Sequence, residues 1–218
     1  MDLLWRLLSY VWPVRVRRVQ GRYQPLELTY EMGRPVLNSL HANQSFGSLH
    51  RLWQQVLRQA LPADRHVDKV LVLGFGAGSV ASILHHEMQR PVSIVGVEGD
   101  PAVLRLARER LRPYDQTLVE LVQQDAFDWS DKTPASRFDL VVVDLFVELD
   151  VPEAAAGPAF IKELRDRVGQ GGVLAFNTIA HDDPSRQQSS RIEEELRLQF
   201  STVRVLTLEE VNRVFIAL

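Results

Sequence analysis

The sequence contains no cysteine, which excludes disulfide bonds, thiolate metal sites and a cysteine nucleophile. It also lacks a charge imbalance, since 25 Lys and Arg residues face 28 Asp and Glu residues for a formal net charge of −3. A net charge so near zero argues against nucleic acid as the main partner. The composition, 45% hydrophobic and 24% charged, is typical of a globular protein with one sizeable core. Without cysteines it fits a reducing compartment, and we expect a cytoplasmic protein.

An apolar stretch at the N-terminus, MDLLWRLLSYVW (1–12), is too short to span a bilayer, which takes about 20 apolar residues. Arginines follow it in VRVRRV (14–19), whereas a secretory signal places positive charge before the apolar stretch. Three placements remain open: a helix docked on its own domain, a helix in a homodimer interface, and an amphipathic helix lying on a membrane surface. We expect no membrane span and favour the first placement, with a homodimer as a further possibility.

Two zones of the chain differ in their pattern. In the first, YQPLELTYEMGRPVLNS (23–39) alternates apolar and polar residues around EMGRP and predicts a β-hairpin. Apolar residues at helical spacing predict a helix over 46–61, with Ser48 as its cap and Pro62 as its stop. We therefore expect an N-terminal helix and hairpin region, 1–48, and an α/β domain, 49–218.

From Lys69 onward, predicted strands alternate with predicted helices, and several strands are continuously apolar. Such strands are typical of a parallel sheet that is covered on both faces. The sequence predicts an α/β fold with a doubly wound, mostly parallel seven-stranded sheet that ends in an antiparallel strand pair. The strands are expected at 69–74, 92–97, 117–122, 138–144, 171–177, 202–208 and 212–218, and the helices at 79–89, 101–112, 158–168 and 185–200.

Three glycines follow the first of these strands in DKVLVLGFGAGSV (68–80). Gly74, Gly76 and Gly78 allow a tight turn with positive φ and let a ligand approach the backbone at a helix N-terminus. A glycine-rich turn can also serve only to pack a strand against a helix, so its neighbours decide between the two interpretations.

Acidic residues stand at the carboxyl ends of the next strands. Glu98 closes VGVEGD (95–100), where a carboxylate can accept both hydroxyls of a ribose. Asp125 follows the third strand, where it can accept an exocyclic adenine amine, and Asp144 ends the fourth. Because parallel strand ends share one rim of the sheet, this pattern favours a nucleoside site over solvated loop charges.

The glycine spacing distinguishes between nucleosides. The turn GFGAGS brings its last glycine one residue earlier than the dinucleotide pattern G-x-G-x-x-G. An antiparallel strand pair also takes the place of a second mononucleotide-binding half. These features disfavour a nicotinamide oxidoreductase, and the acid after the third strand fits S-adenosylmethionine better.

These residues resemble the S-adenosylmethionine-dependent transferases of the Rossmann-like (class I) methyltransferase fold, and most of all their spermidine synthase-like branch. VLVLGFGAGS, VGVEGD and QQDAFDW are similar to three motifs of that fold, and GRPVLNSLHANQS (33–45) and DLF to the branch. The resemblance implies a cofactor-binding domain with Gln44 near the amino-acid end of the cofactor. It also implies that Asp144 faces the reacting centre.

The sequence departs from spermidine synthases at three places. Those enzymes carry an aspartate in the glycine turn that pairs with the ammonium of decarboxylated S-adenosylmethionine, and here Ala77 stands there. Spermidine synthases have a second acid soon after the fourth strand, and here the second acid is displaced to Asp150. They also have a Tyr-His-Glu patch after the hairpin, of which only His50 could have a counterpart here. Glu148 and Glu153 are further acids that could meet a cationic substrate.

Three functions therefore remain open for a cofactor that is S-adenosylmethionine or its decarboxylated form. The first is a methyltransferase for a small acceptor, the second an aminopropyltransferase, and the third a non-catalytic cofactor-binding protein. Asp144 is the candidate catalytic base or acceptor-positioning group, with His181 as a second candidate base and Asn177 as an acceptor ligand or a strand cap. We expect the loop 145–157 to be mobile and to close over the substrate. His85 and His86 lack an i, i+4 partner, and we expect no metal site.

Overall fold

The structure is a computed structural model that describes residues 2–39, 43–45, 47–110, 115–129 and 137–218. The N-terminal region holds a short helix and a four-stranded antiparallel sheet, which is larger than the single hairpin expected. The predicted hairpin is confirmed as its second and third strands, and its turn places Met32 and Gly33 at positive φ, 50° and 76°. These elements are α1 (Asp2–Leu8), β1 (Val14–Gln20), β2 (Pro25–Glu31), β3 (Arg34–Asn38) and β4 (Asn43–Ser45), in the sheet order β1-β2-β3-β4.

Helix α2 (Gly47–Ala60) connects this sheet to the α/β core. It starts at Gly47, so Ser48 lies inside its first turn and is not the cap that the sequence predicted. Leu52, Trp53 and Val56 recur at helical spacing and are fully buried, which docks one face of the helix on the core.

The remaining chain forms the predicted doubly wound sheet, with seven strands in the order β10-β11-β9-β8-β5-β6-β7. Strands β5 to β9 are parallel, whereas β11 pairs antiparallel with both β9 and β10, which confirms the fold class. The order reverses between β5 and β8, so the switch point lies where these two strands end. The strands are β5 (Lys69–Leu73), β6 (Ser93–Glu98), β7 (Val119–Gln123), β8 (Phe138–Val143), β9 (Val168–Ile179), β10 (Val203–Leu208) and β11 (Asn212–Ala217).

Helices cover both faces of the sheet because successive residues of a strand point to opposite sides. Val70 and Val72 pack with α2 in one core cluster, and Leu71 and Leu73 pack in a second cluster on the other face. The helices are α3 (Ser79–Ser82), continued by a π-helical turn (Ile83–Glu87), then α4 (Pro101–Arg110), α5 (Pro158–Arg167) and α6 (Asp183–Gln199), with 3-10 turns at Gln116–Leu118 and Glu153–Ala156.

The N-terminal sheet is attached to the α/β part by apolar and polar contacts. Leu26, Leu28 and Leu37 form a buried cluster with Ala77 and with residues of α4. A domain boundary between residues 48 and 49 stays a prediction. Within the described residues, no helix has the length and apolar character needed to cross a membrane.

Candidate functional site

A cavity of about 510 Å³ opens at the carboxyl edge of the parallel strands, beside the switch point between β5 and β8. Five of the residues expected from the sequence line it: Gly74, Gly76, Glu98, Asp125 and Asp144. Two others do not take part in the described lining. Gly78 instead caps the N-terminus of α3, and Gln44 lies in β4 with its side chain outside the described part of the chain.

The glycine turn lines the cavity, and its first glycine also lies close to the protein backbone. Gly74 has φ +80°, and a Cβ there would lie 2.1 Å from the carbonyl oxygen of Asp144. The N–H groups of Gly74 and Phe75 both donate to the carbonyl of Val97 at 3.0 Å. The first glycine is therefore required so that the ends of β5 and β8 can meet beneath the cavity floor.

Glu98 stands at the end of β6 and accepts backbone hydrogen bonds on both carboxylate oxygens. Oε2 accepts from the N–H of Gly76 and Oε1 from the N–H of Asp100, each at 2.9 Å. Desolvation of the carboxyl raises its pKa to about 7, even though these hydrogen bonds favour the charged form. Each oxygen keeps a lone pair that can accept a ribose hydroxyl.

Asp125 follows β7 and meets a tyrosine from the N-terminal sheet. Its Oδ1 accepts from the N–H of Phe127 at 3.0 Å, and its Oδ2 accepts from the hydroxyl of Tyr23 at 3.2 Å. Burial and the negative charge of Asp125 raise the pKa of Tyr23, so the phenol stays protonated and acts as a donor. The carboxylate oxygen expected to accept an adenine amine therefore already has a donor within the protein.

The loop that carries Tyr23 forms one wall of the cavity. The N–H of Arg22 donates to Asp100 at 2.7 Å, and the side-chain oxygen of Gln24 accepts from the N–H of Glu148 at 2.6 Å. Ser39, also from the N-terminal sheet, donates to the carboxylate of Glu148 at 2.9 Å. These hydrogen bonds make the N-terminal sheet part of the site.

Asp144, at the end of β8, is held by two side chains. Trp53 Nε1 donates to Oδ2 at 2.8 Å, and Asn177 Nδ2 donates to Oδ1 at 2.9 Å. Asn212 in turn donates to Oδ1 of Asn177 at 3.1 Å, which fixes the orientation of that amide. Desolvation outweighs both hydrogen bonds and raises the pKa of Asp144 to about 6. The result is an oriented carboxylate that is still mostly ionised at neutral pH.

The loop 145–157 contains local structure that its composition did not indicate. Its alanine run forms a 3-10 turn in which Ala155 and Ala156 are buried. Mobility of the loop and its closure over a substrate stay predictions. Val147 and Asp150 exchange backbone hydrogen bonds of 3.0 Å, and Gln188 of α6 donates to the carbonyl of Val151 at 3.0 Å. The first half of the loop lines the cavity through Leu145, Phe146, Val147, Glu148 and Leu149.

All charged residues in the described lining are acidic. Acidic residues occur on every wall of the cavity, and none of the described lining residues is Lys, Arg or His. Such a surface favours a ligand with positive charge. The acidic residues are Glu98, Asp100, Asp125, Asp144, Glu148 and Glu209.

The remaining candidates lie elsewhere. Nε2 of His181 is 3.6 Å from Asp182, and Nε2 of His50 is 2.6 Å from Glu87. Neither histidine lines the cavity. Asp150 and Glu153 line a separate surface groove, and Glu153 binds Arg191 at 2.7 Å. Of the three loop acids considered from the sequence, only Glu148 reaches the cavity.

Sequence reasoning missed Tyr23, Gln24 and Trp53. A signal existed for Trp53, because a tryptophan on the buried face of a helix needs an acceptor for its N–H. No local signal marked Tyr23, whose partner Asp125 is 102 positions away in the chain.

Comparisons with known proteins agree with this geometry. Residues 70–172 match the family described as "Methyltransferase domain". The chain is 28% identical over 111 residues to malonyl-[acyl-carrier protein] O-methyltransferase of Paenibacillus sp. (strain JDR-2), covering 50% of this chain and 38% of the relative. It is 29% identical over 125 residues to polyamine aminopropyltransferase of Aeropyrum pernix, covering 51% of this chain and 38% of that relative. The chain therefore spans well under half the length of these two curated relatives.

Solved structures share the fold over more of the chain. A probable spermidine synthase from Corynebacterium glutamicum aligns with a TM-score of 0.73 at 18% identity, covering 93% of this chain and 79% of the other. Human methyltransferase-like protein 13, in complex with SAH, aligns with a TM-score of 0.63 at 18% identity, covering 79% of this chain and 82% of the other. The fold is thus that of the class I S-adenosylmethionine-dependent methyltransferases. Within that class, the resemblance to the spermidine synthase-like branch, expected from the motifs, is confirmed.

Proposed function

We propose that this protein is an S-adenosylmethionine-dependent transferase, most simply a methyltransferase for a small acceptor. The observation that carries the proposal is the convergence of Gly76, Glu98, Asp125 and Asp144 on one cavity. Each comes from a different strand end, as ligand groups do in open α/β sheets. The volume of about 510 Å³ is in the range of small-molecule sites.

The residues present fit the nucleoside part of this cofactor. Glu98 is the ribose acceptor, since both of its oxygens are oriented by the N–H groups of Gly76 and Asp100. Asp125 is the acceptor for the adenine amine, and the hydroxyl of Tyr23 already donates to its Oδ2. Bound here, the cofactor supplies a methyl group on a positively charged sulfonium, and an acidic lining suits that charge.

Position 77 supports the intact cofactor. Ala77 is fully buried in the apolar cluster of Leu26, Leu28 and Leu37, and it does not line the cavity. Both forms of the cofactor carry an ammonium, but only the intact form carries a carboxylate, which an aspartate at position 77 would repel and Ala77 does not. The protein has to recognise the amino-acid end by other groups, of which Gln44 stays a prediction.

Asp144 is proposed as the group that positions the acceptor and takes its proton. With a pKa of about 6 it is mostly a carboxylate at neutral pH, and its proton affinity exceeds that of an ordinary aspartate. An acceptor nitrogen or oxygen whose lone pair takes the methyl group would have to lose its proton, and S-adenosylhomocysteine would be the second product. The acceptor proton passes to Asp144, whose orientation is fixed by Trp53 and Asn177.

A second candidate is an aminopropyltransferase, and the acidic lining favours it. Six acidic residues with no cationic residue in the described lining suit a polyamine acceptor and a cofactor without a carboxylate. The similarity to a probable spermidine synthase also includes the N-terminal sheet, since it covers 93% of this chain. Two observations argue against aminopropyl transfer. Position 77 is Ala77 instead of the aspartate of spermidine synthases, and of the loop acids Glu148, Asp150 and Glu153 only Glu148 reaches the cavity.

Calorimetric titration with S-adenosylhomocysteine, the demethylated product, tests the nucleoside site. We expect Glu98→Gln and Asp125→Asn each to weaken binding by about tenfold or more, because a charge-assisted hydrogen bond contributes about 1.5–3 kcal/mol. Glu153→Gln is the matched control, since Glu153 lies outside the cavity. Equal affinities for all three variants and the native protein would contradict the proposed site.

A further inference from the structure

The N-terminal segment presents apolar side chains to solvent on all sides. We call residues 3–12 the N-terminal platform. Val11 is 87% and Trp12 77% exposed, and every large apolar residue of the platform is at least a third exposed. Contiguous apolar surfaces of this kind on a folded protein mark interaction sites. The exposed residues are Leu3, Leu4, Trp5, Leu7, Leu8, Tyr10, Val11 and Trp12.

Polar contacts, not burial, fix the platform on the protein. Arg6 Nε donates to the carbonyl of Gly33 at 3.1 Å, and the hydroxyl of Ser9 accepts from the N–H of Gly33 at 2.9 Å. The N–H of Met32 donates to the carbonyl of Ser9 at 3.0 Å. The helix α1 is thus docked on its own domain, as the sequence favoured, but at the tip of the β2–β3 hairpin and with its leucines outward.

The region around the platform carries the opposite charge to the rest of the chain. Residues 1–20 contain four arginines and one aspartate, a net charge of +3, whereas residues 21–218 carry a net charge of −6. Arg15 and Arg18 on the adjoining strand β1 are 53% and 67% exposed and share one carboxylate, Glu27. An apolar surface bordered by excess positive charge is complementary to an anionic lipid headgroup layer.

We propose that the platform docks on the surface of an anionic lipid bilayer. The seven residues of α1 measure about 11 Å along the helix axis, too short to span a bilayer but suited to lie within its interface. Trp5, Tyr10 and Trp12 are of the residue types enriched at that depth. A second copy of the chain is a poorer occupant, because pairing two platforms brings two regions of net charge +3 together.

The platform lies at the far end of β1 from the cavity. It adjoins the start of β1, and the cavity-lining residues Tyr23 and Gln24 follow the other end of that strand. Seven strand residues separate the two by about 23 Å. The proposed lipid contact therefore does not involve this wall of the cavity.

Co-sedimentation of the full chain with vesicles tests this proposal. We expect binding to phosphatidylcholine vesicles that contain phosphatidylglycerol, weaker binding to phosphatidylcholine alone, and a loss of affinity as salt is added. The double variant Leu7→Asp/Val11→Asp is expected to abolish binding. Arg15→Gln/Arg18→Gln is expected to lower affinity at least about fivefold, the contribution of one cation near an anionic surface.

Matched controls come from the exposed face of α6. Leu198→Asp replaces a leucine that is 75% exposed, and Arg186→Gln removes an exposed arginine; neither change should alter binding. Failure of the native protein to bind anionic vesicles at low salt would overturn the proposal. A lipid-free dimer, seen by light scattering and lost in Leu7→Asp/Val11→Asp, would also overturn it by assigning the platform to a second copy.

Discussion

The indole N–H of Trp53 donates to Oδ2 of Asp144 at 2.8 Å, linking the middle of helix α2 to the end of strand β8. Asn177 completes the arrangement from β9, so three elements determine where one carboxylate points. Because both oxygens are held, the carboxylate is oriented before any acceptor arrives. Such preorganisation is what a positioned base requires.

Replacing Asp144 tests its role in transfer. Asp144→Asn keeps the shape of the side chain and removes the base, so we expect turnover to fall about 10²- to 10⁴-fold with little change in cofactor affinity. Steady-state kinetics and calorimetry measure the two effects separately. Asp150→Asn is the control, because Asp150 does not line the cavity. Unchanged turnover in Asp144→Asn would remove this residue from the mechanism.

Trp53→Phe removes the hydrogen bond to Asp144 while keeping an aromatic ring in the core. A hydrogen bond donated to a carboxylate favours its charged form, so its loss is expected to raise the pKa of Asp144 further above about 6. The acid limb of the pH profile of kcat should therefore move to higher pH. Trp129→Phe, which changes a tryptophan outside the cavity lining, should leave the limb in place. A limb that moves equally in both variants, or in neither, would contradict the proposed coupling.

Glu98 should make stability fall as pH rises. Its pKa is raised from 4.5 to about 7 in the folded protein, so between these values the folded state binds more protons than the unfolded state. Glu98→Gln removes this titration, and its melting temperature relative to the native protein should increase from pH 4.5 to pH 7. Thermal unfolding across this pH range measures the difference.

Glu153→Gln gives the opposite sign as a control. The hydrogen bond from Arg191 lowers the pKa of Glu153, so the native protein gains from this group as pH rises. The variant should therefore lose stability relative to the native protein as pH rises toward 4.5, by a small amount because the pair is exposed, and should change little between pH 4.5 and pH 7. The same slope for both variants would argue against the desolvation of Glu98.

Tyr23→Phe should strengthen cofactor binding. The hydroxyl of Tyr23 donates a hydrogen bond to Oδ2 of Asp125, and a ligand amine must replace or share this hydrogen bond. Because a hydrogen bond to a charged group contributes about 1.5–3 kcal/mol, we expect affinity for S-adenosylhomocysteine to rise by about tenfold or more. Tyr30→Phe, which changes a tyrosine outside the cavity lining, should have no effect. A large loss of affinity in Tyr23→Phe would mean that the hydroxyl binds the ligand itself.

Gly74→Ala combines two penalties that a control can separate. Gly74 has positive φ, and a Cβ there would lie 2.1 Å from a backbone oxygen, whereas Gly171 has φ +71° and nothing within 4 Å of its Cβ position. We expect Gly171→Ala to cost about 1–2 kcal/mol in free energy of unfolding and Gly74→Ala to cost clearly more. Chemical denaturation measures both. Equal costs would show that the close approach to Asp144 is relieved by a small backbone shift.

The sequence predicted the sheet well because its signals are local. Continuous apolar strands such as DLVVVDLF and a glycine turn after VLVL need no long-range information, and Glu98, Asp125 and Asp144 follow from the rule that ligands bind at parallel strand ends. Contacts between distant segments could not be predicted in the same way. Tyr23 reaches Asp125 only because a sheet that looked like a single hairpin packs across the rim.

The local structure of the loop 145–157 was missed for the same reason. Alanines and a glycine between two elements suggested only a mobile connection, but α5 and α6 bury Ala155 in a 3-10 turn. Burial by helices that come later in the chain cannot be read from the composition of the loop. The same limitation concealed the partner of Trp53, which lies 91 positions away.

The most direct test of the central claim is calorimetric titration of the purified protein with S-adenosylmethionine and, in parallel, with its decarboxylated form. We predict tighter binding of the intact cofactor, because Ala77 places no aspartate in the glycine turn that would repel its carboxylate. Tighter binding of the decarboxylated form would instead favour aminopropyl transfer, with the acidic lining deciding the specificity. Binding of neither compound would contradict the assignment of this cavity as a cofactor site.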